Sequence, residues 1–229
     1  MIPKRTLLAV DATGDLCSVA WTDGVRWVGH SETAGQRHSA LIVAMVDATL
    51  REAGCTLGDL DEIAFGAGPG SFTGLRIACG VAQGLALGAE LPVRAVSSLL
   101  ALAQASGQDA VLAALDARMN EVYWAAYRRP RRDAAWATVL GPAVSAPAAV
   151  PEPSGAGWFG AGSGFAAYPV LAAGLPRLRG TDGAVRVSAQ AIAELALAGE
   201  GDCGPADRAS PIYVRDKVAL TIAERAVAR

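Results

Sequence analysis

Residues 6–31 read Thr-Leu-Leu-Ala-Val-Asp-Ala-Thr-Gly-Asp-Leu-Cys-Ser-Val-Ala-Trp-Thr-Asp-Gly-Val-Arg-Trp-Val-Gly-His-Ser. Three short apolar runs, 6–12, 17–22 and 25–31, are separated by Thr13-Gly14-Asp15 and Asp23-Gly24, which are turn chemistry. Three strands joined by tight turns predict an antiparallel meander. Outward from it, a helix is expected over residues 39–52, with Ser39 as N-cap and Gly54 closing it. A strand over 62–66, a Gly/Pro turn over 67–71, a helix over 72–88, a strand over 93–97 and a helix from Ser98 follow, in the order βββαβαβα. After Ser106-Gly107 the pattern restarts with strands at 111–116, 121–127 and 135–140. Residues 147–157 read as a loop or linker. Then come a strand near 158–162, helices over 164–173 and 188–198, a loop over 199–205 and a final segment over 211–227. The repeat is one of element order, not of letters. It predicts an α/β fold of two halves, 1–106 and 107–229, with the last segment able to pack back on the first.

The 229 residues are 52% hydrophobic and 18% charged, enough chain for a sizeable core and little polar surface to cover it. Acidic residues number 22 against 20 basic, a net charge of −2, which excludes a general attraction to nucleic acid or anionic lipid. Lys4 and Lys217 are the only lysines; the arginine skew accompanies abundant Ala and Gly and is not a phosphate-binding signal. Cys17, Cys55, Cys79 and Cys203 form no CxxC pair and read as buried free thiols of a reducing compartment. The apolar run at 7–10 is too short for a signal sequence, and the run at 77–89 is broken by Gln83 and carries three glycines, so a cytoplasmic protein without a membrane span is expected.

The turn from Gly66 to Gly74 holds Gly68, Gly70 and Ser71 at a predicted helix N-terminus, where free N–H groups attract phosphate or carboxylate. No Lys follows the glycines and the spacing misses GxGxxG, so both nucleotide fingerprints fail. A tight turn capped by Ser71 or Thr73 competes with the phosphate reading. Asp11 and Thr13 end the first strand, where a carboxylate and a hairpin amide would flank a metal-bound nucleotide. The matching position in the second meander is Asp116-Ala117-Arg118, and Ala plus Arg hinder close approach of a phosphate. Gly160 and Gly162 precede a helix and are either an adenosine contact or a flexible turn. With only His30 and His38, no HxxxH and no close Cys pair, local spacing assembles no metal site, and no GxSxG elbow is present.

The two helices carry the most information. On the first, Leu41, Ile42, Met45, Val46 and Leu50, with Val43, Ala44 and Ala48, spread over most of the circumference and leave Asp47 and Arg51 as the polar stripe. On the second, Arg76 and Gln83 mark one polar line, Leu87 lies beyond it, and Gly80, Gly84 and Gly88 repeat every four residues on one face. A helical glycine costs about 1 kcal/mol relative to Ala, so three in register fit a helix of another subunit approaching closely. Packing on the chain's own sheet accounts for only part of this surface. The run Arg128-Arg129-Pro130-Arg131-Arg132 reads as a solvated hairpin loop, with polyanion binding as its alternative. Trp124, Trp136, Trp158 and Tyr168 read as core.

Several stretches together closely resemble the bacterial TsaB family, also called YeaZ: Asp11-Ala-Thr13, Arg37-His-Ser39, 63–76 with Gly-Pro-Gly-Ser-Phe-Thr-Gly-Leu-Arg, Gly84-Leu-Ala-Leu-Gly88, Asp116-Ala-Arg118, Glu121-Val-Tyr123 and 213–219. The resemblance implies a two-domain actin-like ASKHA (ribonuclease H-like) fold of βββαβα halves. It implies a part in making N6-threonylcarbamoyladenosine in tRNA, beside the anticodon. In that family TsaC forms threonylcarbamoyl-adenylate, TsaD transfers the group, TsaE supplies an ATPase, and TsaB pairs with TsaD through the first two helices. The implied role is a noncatalytic platform: no metal, no cofactor of its own, ATP or ADP only at a subunit boundary, tRNA reached through the complex, and a homodimer when the partner is absent. The competing reading is an actin-like phosphotransferase or ATPase with Asp11 and Asp116 holding magnesium. Residues Arg37-His38-Ser39 read as an anchor for the helix start.

Overall fold

The computed structural model describes residues 5–35 and 37–215. The first meander is β1 (Leu7–Asp11), β2 (Leu16–Thr22) and β3 (Trp27–Thr33), followed by α1 (His38–Ala53), β4 (Glu62–Gly68), α2 (Phe72–Ala89), β5 (Val93–Ser97) and α3 (Ser98–Ala105). The second is β6 (Ala110–Asp116), β7 (Val122–Arg128) and β8 (Ala137–Ser145), followed by β9 (Phe159–Ala161), α4 (Ser163–Ala167), α5 (Pro169–Ala173), β10 (Thr181–Asp182), α6 (Ala189–Leu197) and β11 (Asp202–Gly204). The expected segment beyond Arg215 lies outside the described residues.

An apolar side chain at every position from Leu7 to Val10 is the mark of a strand covered on both faces. β1 meets this by pairing antiparallel with β2 and parallel with β4. Its alternate residues then serve two cores: Leu8 and Val10 pack with Ile42, Val46, Ala78 and Ala82 under α1 and α2, while Leu7 and Ala9 pack with α3 and α6. The first sheet has the order β11-β5-β4-β1-β2-β3 and the second β10-β9-β6-β7-β8. Without β11, both read crossover strand, crossover strand, then meander, which is the duplicated ribonuclease H-like plan of actin-like folds. The halves also exchange helices: α6 lies on β1, β2 and β4 of the first sheet, and α3 on β6 and β7 of the second. Both are Ala-rich, so they pack closely and share one core between the sheets.

Four local expectations change. Helix α1 starts at His38, with Arg37 at the cap position and no side-chain cap; the His38 Nε2–H instead donates to the Gly14 carbonyl at 3.0 Å. The helix expected at 164–173 is two short ones, because Pro169 forces Tyr168 out of the helical region, to φ −132° and ψ 89°. The stretch 147–157 is no free linker: it opens with a 3-10 turn, Pro147–Ala149, beside α5 and buries Pro147, Val150 and Pro153, with Val150 in the core of the second sheet. Its prolines also explain why no counterpart of α1 follows β8. Residues 199–205 contain β11, which pairs antiparallel with β5 and returns the chain to the first sheet.

Candidate functional site

Two features predicted from the sequence come together at the end of β1. Thr13 donates its hydroxyl to Asp11 Oδ1 at 2.8 Å, and its carbonyl accepts from Ser71 N–H at 2.8 Å. Gly68 N–H donates to Ser98 Oγ, which in turn lies 3.4 Å from Thr13 Oγ1. The glycines make this closure fit: a methyl on Gly66 would overlap Asp11 Oδ1, one on Gly74 the Ala12 carbonyl, and one on Gly70 would stand 2.5 Å from the Thr13 carbonyl. Ser71 caps α2 by accepting from Gly74 N–H. Of the residues expected to cradle a phosphate, Gly68 and Ser71 spend their N–H groups within the chain, as does Gly74 at the start of α2, and Gly70 lies against the Thr13 carbonyl.

Asp11 is 0% exposed. Burial raises its pKa to about 6 against the opposing Thr13 hydrogen bonds, and its Oδ2 has no partner. The second carboxylate, Asp116, is paired with the Arg118 guanidinium at 3.1 Å and accepts from Tyr168 OH and Arg118 N–H. Gly162 is pressed on Leu102 and the Ala114 carbonyl, and Gly160 on the Phe165 ring. A magnesium nucleotide held by Asp11 and Asp116 does not fit these residues: one carboxylate is sealed, the other holds an arginine, and the glycines around both are used for packing. Among the described residues no three His, Cys, Asp or Glu side chains converge.

The helical face is arranged differently. Ile42, Val46 and Leu50, predicted to meet a partner, are buried in the chain's own core, because α1 lies across β2 and β3 with that stripe inward. Leu41 and Met45 are half-buried, and Val43 is 58% exposed. On α2 the stripe of Leu75, Ala78, Ala82 and Ala86 faces the sheet. Arg76, Gly80, Gly84, Leu87 and Gly88 are exposed, and Leu87 is 61% open to solvent. A Cβ on Gly80, Gly84 or Gly88 would meet nothing within 4 Å. Gln83 is half-buried and donates to the Ala209 carbonyl. α2 is the one described helix with the length and apolarity of a membrane span, but one side of it sits in the core.

The family model for TsaD, tRNA N6-adenosine threonylcarbamoyltransferase, matches residues 30–157, which include both helices. The tRNA threonylcarbamoyladenosine biosynthesis protein TsaB of Escherichia coli (strain K12) is 40% identical over 230 residues, covering 93% of this chain and 96% of that protein. The chain belongs to the TsaB family. The Haemophilus influenzae TsaB is 41% identical over 71% of this chain and 74% of its own length. Among solved structures, YeaZ from Pseudomonas aeruginosa superposes with a TM-score of 0.82 at 39% identity, over 91% of this chain and 99% of that one. A second, described as an uncharacterized protein with similarity to peptidase YEAZ from the same organism, gives 0.84 at 38% identity, over 92% and 100%.

Within this TsaB-family chain the basic run is the hairpin connection from β7 to β8, as expected, but only its second half is solvated: Pro130, Arg131 and Arg132 are exposed, whereas Arg128 is half-buried. Arg129 is buried, donating to Asp109 at 2.7 Å and Gln104 at 2.8 Å and stacking on Trp136 at 4.2 Å. Arg128 lies on Trp158, and Arg131 pairs with Asp133. The prediction of four buried thiols also changes: Cys17 and Cys79 are buried, Cys55 is half-buried, and Cys203 is exposed on β11. The final segment was expected to be able to pack back on the first half, and its described start does so, Ile212 on Ala67 and Tyr213 on Phe72; which residues meet was not legible. The stretch around Tyr213 carried the family resemblance, but nothing in its local pattern reports a neighbour so distant in the chain.

Proposed function

We propose that this TsaB-family chain is a noncatalytic subunit that binds and activates a TsaD-type transferase for threonylcarbamoylation of the adenosine beside the anticodon of tRNA. The observation carrying this reading is the outer face of α2: three glycines at a spacing of four, each with open space where a side chain would stand, beside exposed Leu87 and Val43. Nothing in the chain's own packing requires glycine there. Another helix placed on that stripe would approach closely and bury the flanking apolar groups. The transferase model's match over α1 and α2 supports a partner built on the same two helices. In its absence a second copy would cover the face.

On this reading the chain works in the cytoplasm beside a TsaE-type ATPase, reaches tRNA through the complex, and holds no nucleotide in its own cleft. The sealed state of Asp11 disfavours the stand-alone ATPase. Co-purification with the transferase tests the proposal. Gly84→Arg and Met45→Asp are expected to abolish it while leaving the circular dichroism spectrum unchanged; retained complex in both variants overturns it. Threonylcarbamoyl transfer by TsaC, TsaD and TsaE should require this chain, and ATP turnover by the purified chain alone should stay at background.

A further inference from the structure

Residues 209–215 cross from one half of the molecule to the other without secondary structure of their own. At the near end the Ala209 carbonyl accepts from the Gln83 side chain at 3.0 Å and from the Cys79 thiol at 3.6 Å, both on α2. Midway, Ile212 N–H donates to the Ala67 carbonyl at 2.7 Å, and the Ile212 carbonyl fills the place of a Gly68 side chain, 2.6 Å from where its Cβ would be. Beside it the Tyr213 and Phe72 rings meet at 6.2 Å. At the far end Arg215 donates to the Ala117 carbonyl at 3.1 Å and to Glu121 at 2.5 Å, on the β6–β7 hairpin. The turn it braces holds Arg118, Met119 and Asn120 all at positive φ, near 60°, a conformation disfavoured for residues with side chains.

We infer that residues 209–215 form one strap that seats and lifts as a unit, joining α2 of the first half to the β6–β7 hairpin of the second. A short segment outside any ladder is ordered only while the sum of its anchors exceeds its conformational entropy, and each net hydrogen bond is small beside that sum. Releasing one end therefore frees the other. Because half-buried Gln83 borders the open face of α2 and also holds Ala209, contact on that face is transmitted to the hairpin.

Cys79 gives a direct readout, since it is buried and its thiol donates to the strap. In the intact chain, residue-resolved alkylation would compare Cys79 with Cys17, which is 0% exposed under α1 and α2 and reports global opening. Arg215→Ala cuts only the far anchor. A unitary strap predicts Cys79 alkylation about tenfold faster with Cys17 unchanged, a change of the size expected for loss of an anchor's hydrogen bonds. An unchanged Cys79 rate means that the anchors act separately and overturns the proposal. If Cys17 accelerates as much as Cys79, the milder Glu121→Gln, which removes the ion pair alone, repeats the comparison. Faster Cys79 than Cys17 there supports the strap, and equal or unchanged rates overturn it.

Discussion

Asp11 shows how a carboxylate at the end of the first strand can be enclosed by the chain's own packing. Its pKa near 6 comes from loss of water around a group that keeps one oxygen unpartnered. For a carboxyl raised from 3.8, the favourable contribution is fully present below about pH 3.8 and is lost as pH rises through about 6. Asp11→Asn, which keeps the Thr13 acceptor and removes the buried charge, is expected to stabilise the chain at pH 7 by up to about 3 kcal/mol. The gain should fade toward pH 4. Urea unfolding of both proteins across that range measures it, and a pH-independent difference would contradict the assignment. The sequence displayed Asp11, Thr13 and the glycines as a group. It did not show that the glycines serve contact between two backbones, because absence of a side chain suits a phosphate and a neighbouring carbonyl equally well.

At the scale of the element, α2 has two faces with different constraints. The inward face uses Ala78, Ala82 and Ala86 to lie close on the sheet, whereas the outward glycines touch nothing. Gly80→Ala and Gly84→Ala should each stabilise the isolated chain by about 0.5–1 kcal/mol through helix propensity, raising the melting temperature by a few degrees. A loss of stability would mean that the stripe is part of the chain's own packing. Helix α1 marks where periodicity reaches its limit. Apolar residues around most of its circumference signalled more surface than one sheet covers, but could not tell that Ile42, Val46 and Leu50 face inward while Val43 faces solvent. That division depends on the rotation of the helix over β2 and β3.

Across the whole molecule, the return of the chain to the first sheet is fastened by a buried charge pair. Arg94 on β5 donates to Glu62 on β4 at 2.6 Å and to the Gly199 and Gly201 carbonyls just before β11. Arg5 also pairs with Glu62, which is fully buried. Glu62→Gln leaves the Arg94 guanidinium under-compensated in a buried position and should cost about 3 kcal/mol. Hydrogen exchange at β11 should rise more than in β1. The paired replacement Glu62→Leu with Arg94→Met should recover much of that loss, and equal destabilisation by the single and paired changes would contradict the account. Neither partner advertises the other, since they lie far apart in the sequence and the pattern around each is that of an ordinary strand.

The alternation of 6–31, its turns and its recurrence after Ser106 determined the duplicated α/β plan, because side-chain period and turn chemistry are local properties. The Gly-Pro-Gly-Ser-Phe-Thr-Gly-Leu-Arg stretch likewise carried the family by its letters alone. The exchange of α3 and α6 between the sheets, the sealing of Asp11, the burial of Arg129 and the seat of residues 209–215 were decided only by tertiary structure. Each depends on which surfaces meet after the chain has crossed between halves, and the free energy of such a meeting belongs to both surfaces together.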